Sequence, residues 1–438
     1  MTTRPIRLPS HLRRAVAGAG FSRLRTRRWL TSLRQGYGGP PWVFRRRRPA
    51  PTIVICVAAL LAVLLASVPS PAQQQPFIVH DTKPVVMHGP WISSMTETSA
   101  TIVWVTDTPC HAEVVYGPAE PLTQTADNAV HGLLPIGLVH AVHVSGLAPG
   151  TRYTYKAVST RVVKMKAYWP EKGLATETPA TAFTTFDRRK PTASFTAVTD
   201  THEDAARVTA LLTLIDPGAN DFLVHLGDAF HSLESEDQLF GRWFDPASKL
   251  AAGSLPLFYV RGNHELRGAF ARSLFDYMPT PEGRYYVARD DGPLHLIVLD
   301  TGEDKPDDTN VYSRLNKVGP YRTAELAWLT AHAASDARAA AAPFRVVLAH
   351  HPGWGWTAEP AADWTAAANA AKVDLVMGGH FHRTFVTKPG EKGNDFYVVA
   401  LGQDAVARVT STTAELKVTI VDKLGAVTNT LVIPARPR

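Results

Sequence analysis

From residue 193 onward, short runs of consecutive apolar residues end repeatedly in the same kinds of polar side chain. ASFTAV runs on to Asp200-Thr201-His202, FLVHL to Gly227-Asp228, and PLFYV to Gly262-Asn263-His264-Glu265. FRVVLA then ends in His350-His351-Pro352, and DLVMG in Gly379-His380-Phe381-His382. A strand apolar at both alternating positions has to be covered on both faces, which places it in the central sheets of an α/β domain. Helix-period patterns intervene, in EDAARVTALLTLI and over residues 322–340 and 361–372, while RYYVARD, LHLIVLDTG and DFYVVALG add strands. Side chains beyond the carboxyl ends of such strands lie where loops converge. A single aspartate or histidine there is usually a turn or cap residue. Five such ends in one domain call for a joint site.

The residue types set the chemistry. Asp200 and His202 are two apart, as are His380 and His382, so on an extended segment each pair points to one face and can converge on one centre. Mixed imidazole and carboxylate donors suit Zn, Mn, Fe or Co rather than Ca or Mg. Adjacent His350 and His351 cannot both face that centre, because neighbours on a strand point to opposite sides. Pro352 holds His351 extended.

In order, D-x-H, G-D, G-N-H-E, H-H-P and G-H-x-H resemble the signature of the calcineurin-like metallophosphoesterase superfamily. With a β-rich segment in front, the likeness is to its purple acid phosphatase-related branch and covers about residues 83–410. The resemblance implies an α/β fold, a two-sheet αββα domain over 193–410. It implies two divalent or trivalent transition metal ions (Fe, Mn or Zn), one held by Asp200, His202, Asp228 and His382. The second would be held by Asp228, Asn263, His350 and His380, with Asp228 bridging. A metal-bridging hydroxide would attack phosphorus in line, and catalytic His264 would stabilise or protonate the leaving oxygen. His351, Arg267, Trp354 and Arg383 are candidates for substrate binding at the rim, with Trp356 beside Trp354. The expected substrate is a small phosphate monoester; a phosphodiesterase on the same core is the alternative, then an inactive phosphate- or metal-binding surface protein. Two departures matter. The branch's tyrosine ligand, three residues after the bridging aspartate, is here His231, and its first motif lacks the histidine present here as His202. An Fe(III)–tyrosinate centre is therefore not expected, and His231 is open between ligand, neighbour of a ligand and surface residue.

Residues 83–187 read differently. Met95–Asp107 alternates apolar and polar positions, and His140–Thr160 carries a Pro-Gly turn. This spacing predicts an all-β sandwich. VSGLAPGTRYTYKA resembles the end of a fibronectin type III-like domain, with Tyr153 or Tyr155 in the late-strand aromatic position. Asp187–Thr192 reads as a charged linker, and residues 411–438 as further strands after the domain.

Net charge is +7, yet residues 1–72 contain thirteen arginines and no lysine or acid. The remainder has 33 basic against 39 acidic residues, a net of −6, so the basic balance gives no reason to expect a nucleic-acid partner. Arginines ahead of the apolar run 52–68 fit an export signal ending near Ala72, or a retained anchor associating the protein with a membrane. Either sends the rest outward, to a periplasmic, extracellular or membrane-anchored location. Of two cysteines, Cys56 lies in that run, so Cys110 has no partner in the exported part. Core packing has to hold it together.

Overall fold

The alternation of Met95–Asp107 lies largely in a strand of nineteen residues, β2 (Ser99–Gly117). Its first half pairs antiparallel with β1 (Val86–Met95) and β4 (Gly137–Ser145), and its second half with β3 (Gln124–Asp127) and β5 (Arg152–Lys164). β6 (Glu171–Glu177) and β7 (Thr181–Thr184) add to β5. Ile102 and Trp104 enter the core of this β-unit, where Trp104 Nε1 donates to Ser159 Oγ at 2.7 Å. Val103 and Val105, with opposite parity, are buried as well, in a second core shared with the helices and first sheet of the α/β part. Tyr153 and Tyr155 share a face but not a role: Ala148 N donates to the Tyr153 hydroxyl at 3.0 Å, whereas Tyr155 Oη donates to Gly253 O at 2.8 Å.

A computed structural model describes residues 77–355 and 358–436; the arginine-rich start, the apolar run 52–68 and Trp356 lie outside them. Among the described residues no helix is long and apolar enough to cross a membrane. Cys110 is buried and free.

The α/β part has two six-stranded sheets. In the first, β8 (Thr192–Val198), β9 (Phe222–His225) and β10 (Leu257–Tyr259) run parallel. In the second, β12 (Leu294–Leu299), β13 (Phe344–Ala349), β14 (Leu375–Gly378) and β16 (Tyr397–Ala400) run parallel between antiparallel edges β11 (Val287–Asp291) and β15 (Phe385–Thr387). The final strands are β17 (Ala405–Thr412), β18 (Glu415–Asp422) and β19 (Val427–Pro434), and the strands expected over 411–438 begin earlier, at Ala405. β17 pairs with β8, so the tail completes the first sheet.

Period-two alternation assigns the layers. Phe344, Val346 and Leu348 of β13 meet Phe195, Ala197 and Val224 of the first sheet in one core. Val347 and Ala349 face outward, toward Leu329 of α2 (Val318–Ser335) and Trp364 of α3 (Ala361–Ala370). Helix α1 (Ala205–Leu212) covers the other face of the first sheet with Val208 and Leu211. Its cap is Asp204, whose carboxylate accepts from Arg207 N at 3.0 Å.

Candidate metal centre

The carboxyl ends of β8, β9 and β10 carry Asp200 and His202, Asp228, and Asn263 and His264; those of β13 and β14 carry His350, and His380 and His382. His350 keeps the parity of Phe344, Val346 and Leu348, so it turns inward between the sheets and is fully buried. Its Nδ1 lies 2.7 Å from Leu226 O and must donate to it. In the neutral imidazole that leaves Nε2 with only a lone pair, 3.0 Å from Asp228 Oδ2. Two electron-rich atoms facing each other in a buried site demand a proton or a metal cation between them. Burial alone would lower the His350 pKa, but Asp228, Asp200 and Glu265 push it up to about 10. The site draws positive charge.

The second cluster repeats this pattern. His202 Nδ1 lies 3.2 Å from Phe230 O, and its Nε2 lies 3.0 Å from His382 Nε2. Asp200 Oδ1 is 3.8 Å and 3.4 Å from those two nitrogens. Donor atoms of Asp200, His202 and His382 thus form one group, and those of Asp228, His350 and His380 another, each within 4.8 Å. Asn263 Oδ1 is 3.1 Å from His380 Nδ1. Burial lowers His202 to about 4 and His380 to about 3, so both imidazoles are neutral and ready to ligate at pH 7. The donors present fit two borderline transition metal ions.

Convergence arises differently from the extended geometry expected of D-x-H and H-x-H. Asp200, His202, Asp228, His380 and His382 have φ of +50°, +43°, +58°, +71° and +55°, the left-handed region. Such backbone costs of order 1–3 kcal/mol per residue, and persists because the loops are tied to one another. Asp200 N donates to Gly227 O at 2.9 Å, His202 N to Asp228 O at 3.1 Å, and His380 N to Asp200 Oδ2 at 2.9 Å. Two motif glycines are required by this closeness. A Cβ on Gly262 would meet Asp228 Oδ1 at 2.2 Å, and one on Gly379 would meet Thr199 Oγ1 at 1.9 Å.

Glu265, quoted in its motif without a role, proves central. It is fully buried, and its Oε2 accepts from Asp228 N (2.9 Å) and Gly262 N (2.7 Å). Its Oε1 accepts from Ala229 N (2.7 Å) and the Tyr259 hydroxyl (2.8 Å). One carboxylate therefore clamps the loops after β9 and β10. His264 Nδ1 donates to His231 O at 2.6 Å, leaving Nε2 3.9 Å from Asp228 Oδ2. The His231 ring stacks on His202 with centroids 4.8 Å apart, and its donor nitrogen joins those of His202 and His264 in a third group.

The rim residues separate. His351 leaves the centre, as alternation requires, and lies outside all three donor groups; its ring rests 4.2 Å from that of His380. Arg267 is engaged by protein: its Nε and Nη2 donate to Glu303 at 3.1 Å and 2.7 Å, and its Nη1 lies 3.1 Å from His264 Nε2. Nothing in the sequence signals this Glu303 contact, which spans 36 positions. Arg383 is exposed, with its guanidinium 5.8 Å from the Phe385 ring centre. Trp354 is 3% exposed, donates from Nε1 to Thr365 Oγ1 at 3.0 Å and stacks on Trp364.

Residues 193–384 match the calcineurin-like phosphoesterase family. Human acid phosphatase type 7 is 25% identical over 274 residues, covering 58% of this chain and 56% of the relative. The mouse protein of the same name is 24% identical over 220 residues, 46% and 45%. The chain thus spans about half the length of the curated relatives it matches. Purple acid phosphatase PPD1 from yellow lupin (Lupinus luteus) seeds shares the fold, with a TM-score of 0.59 at 15% identity over 80% of this chain and 74% of that one.

Proposed function

We propose, from the match of residues 193–384 to the calcineurin-like phosphoesterase family and the fold shared with a purple acid phosphatase, that the protein is a metal-dependent hydrolase of phosphate monoesters. The observation that carries this reading is the buried contact of His350 Nε2 with Asp228 Oδ2, 3.0 Å apart, beside the His202–His382 pair. Asp200, His202, Asp228 and His382 would hold one ion and Asp228, Asn263, His350 and His380 the other. Bound there, Fe, Mn or Zn would neutralise phosphate charge and acidify a water as nucleophile. Asp228 suits a shared position: its Oδ1 accepts from His264 N at 3.0 Å, while its Oδ2 faces both His350 and His202.

His264 serves the leaving group. Its Nδ1–H is fixed on His231 O, which aims Nε2 into the space beside Asp228 Oδ2. As the ester P–O bond breaks and the water oxygen takes its place on phosphorus, a proton on Nε2 passes to the departing alkoxide. Arg267 Nη1 lies 3.1 Å from the same nitrogen, where its N–H competes with that proton for the Nε2 lone pair, so the guanidinium has to turn aside when His264 acts as the acid.

The β-unit at residues 83–187, read as fibronectin type III-like, would shape the substrate approach, and the arginine-rich start with the run 52–68 supports export. The test is hydrolysis of p-nitrophenyl phosphate and bis(p-nitrophenyl) phosphate by metal-loaded protein. The monoester should turn over faster; preference for the diester transfers the proposal to that class, and inactivity on both defeats it. His264→Ala should lower kcat by about 10²–10⁴ with metal content unchanged.

A further inference from the structure

The loop that supplies His380 and His382 carries Phe381 between them, and this ring is 38% exposed. Its centroid lies 5.1 Å from His351, 5.4 Å from His380 and 5.3 Å from Phe385. On its far side opens a cavity of about 460 Å³, walled by Trp354, Ala362, Ala366, Phe381, Phe385 and Phe396. Polar side chains also border it, Thr387 and Lys392 among them, but Thr365, Asn369 and Asn394 are engaged elsewhere. Thr365 Oγ1 donates to Ala361 O and accepts from Trp354 Nε1. Asn369 is held by Gly393 O and Asp395 N, and Asn394 by Lys388 O, Phe396 O and Lys392 N. Water filling such a space finds few partners, whereas an apolar group entering it loses none.

We propose that this cavity receives the alcohol portion of the phosphoester and makes the enzyme select esters of bulky, apolar, aromatic-sized alcohols. The inference rests on the phosphoesterase reading above. Phe381 is the link: one face of its loop bears the candidate metal ligands and the other forms the cavity wall. A phosphate at the centre therefore leaves its ester substituent beside the cavity mouth, with Lys392 at the rim. Trp354 acquires a role in this arrangement, as a wall of the cavity set in the helix-side core.

Ala362 and Ala366 are exposed on one face of α3, so enlarging either fills the cavity without entering the core. For metal-loaded Ala366→Phe, the ratio of kcat/KM for 1-naphthyl phosphate to that for glycerol phosphate should fall roughly tenfold or more. Saturable binding of 1-naphthol, read from its fluorescence, should be lost in the same variant. An unchanged ratio together with retained naphthol binding overturns the inference. If the wild-type protein hydrolyses neither ester, naphthol binding still decides the cavity: its loss in Ala366→Phe upholds the cavity while the phosphoesterase reading falls.

Discussion

His350 is held by opposing demands. Burial disfavours its charge, but Asp228 and Asp200 reverse this, so in the metal-free protein it keeps a proton up to about pH 10. The unfolded chain releases that proton near pH 6.5. The raised value therefore stabilises the metal-free fold fully below about pH 6.5, and the contribution is lost as pH rises toward 10. A metal ion on Nε2 has to displace the same proton. Uptake of metal at pH 7 should thus release about one proton per chain from this residue, while His202 and His380 are already neutral and release none. Calorimetry in buffers of different ionisation enthalpy measures the number, and zero would remove His350 from the ligand set. Glu265 makes a separate prediction. Its carboxylate accepts four hydrogen bonds, and an amide in its place turns one N–H group toward donors. Glu265→Gln should cost roughly 1–3 kcal/mol, read as a lower urea midpoint, together with weaker metal binding. An unchanged midpoint would deny the clamp.

At the scale of elements, the strands were legible and their terminal loops were not. FRVVLA and DLVMG show a central strand because every position is apolar, and the polar residues that follow each strand mark its carboxyl end. Alternation also separates His350 from His351 without any structure. The left-handed backbone of Asp200, His202, Asp228, His380 and His382 has no such signature. These residues hold φ values that glycine usually takes, and what holds them is hydrogen bonding between loops some 30 to 180 positions apart. The pairing of Arg267 has no such signature for the same reason, since its partner Glu303 arrives from a different loop. Glycine positions test the argument. Gly379→Ala should destabilise by about 2 kcal/mol or more and weaken metal binding severalfold, because the new Cβ would strike Thr199 Oγ1 and Asp200 Oδ2. Gly241→Ala, with nothing within 4 Å of the added carbon, should leave both nearly unchanged. Equal effects would show that general strain, and not loop closeness, sets the cost.

The described residues from Phe77 onward belong to one compact unit, although their sequence divides at a charged linker. That linker is pinned: Lys190 Nζ reaches Asp221 at 2.6 Å and Asp291 at 2.7 Å. Trp91 of β1 fixes the seam. It is fully buried, its Nε1 donates to Tyr277 O at 3.1 Å, and its ring lies 5.8 Å from both Phe240 and Phe244. β2 explains why the halves depend on each other, since Val103 and Val105 join a core built largely by the α/β part, with Trp91, Val139 and Ala141 beside them, while Ile102 and Trp104 build the β-core. Separating the halves would expose one face of the strand that organises the other. Unfolding should accordingly be a single event. Trp91→Ala should cost about 3–5 kcal/mol, and the loss should move far-UV circular dichroism, tryptophan fluorescence and metal-dependent hydrolysis to the same lower denaturant midpoint. If hydrolysis survived at the wild-type midpoint while the spectroscopic signals split into two transitions, the β-unit would be an independent module and the seam no part of what holds the metal centre.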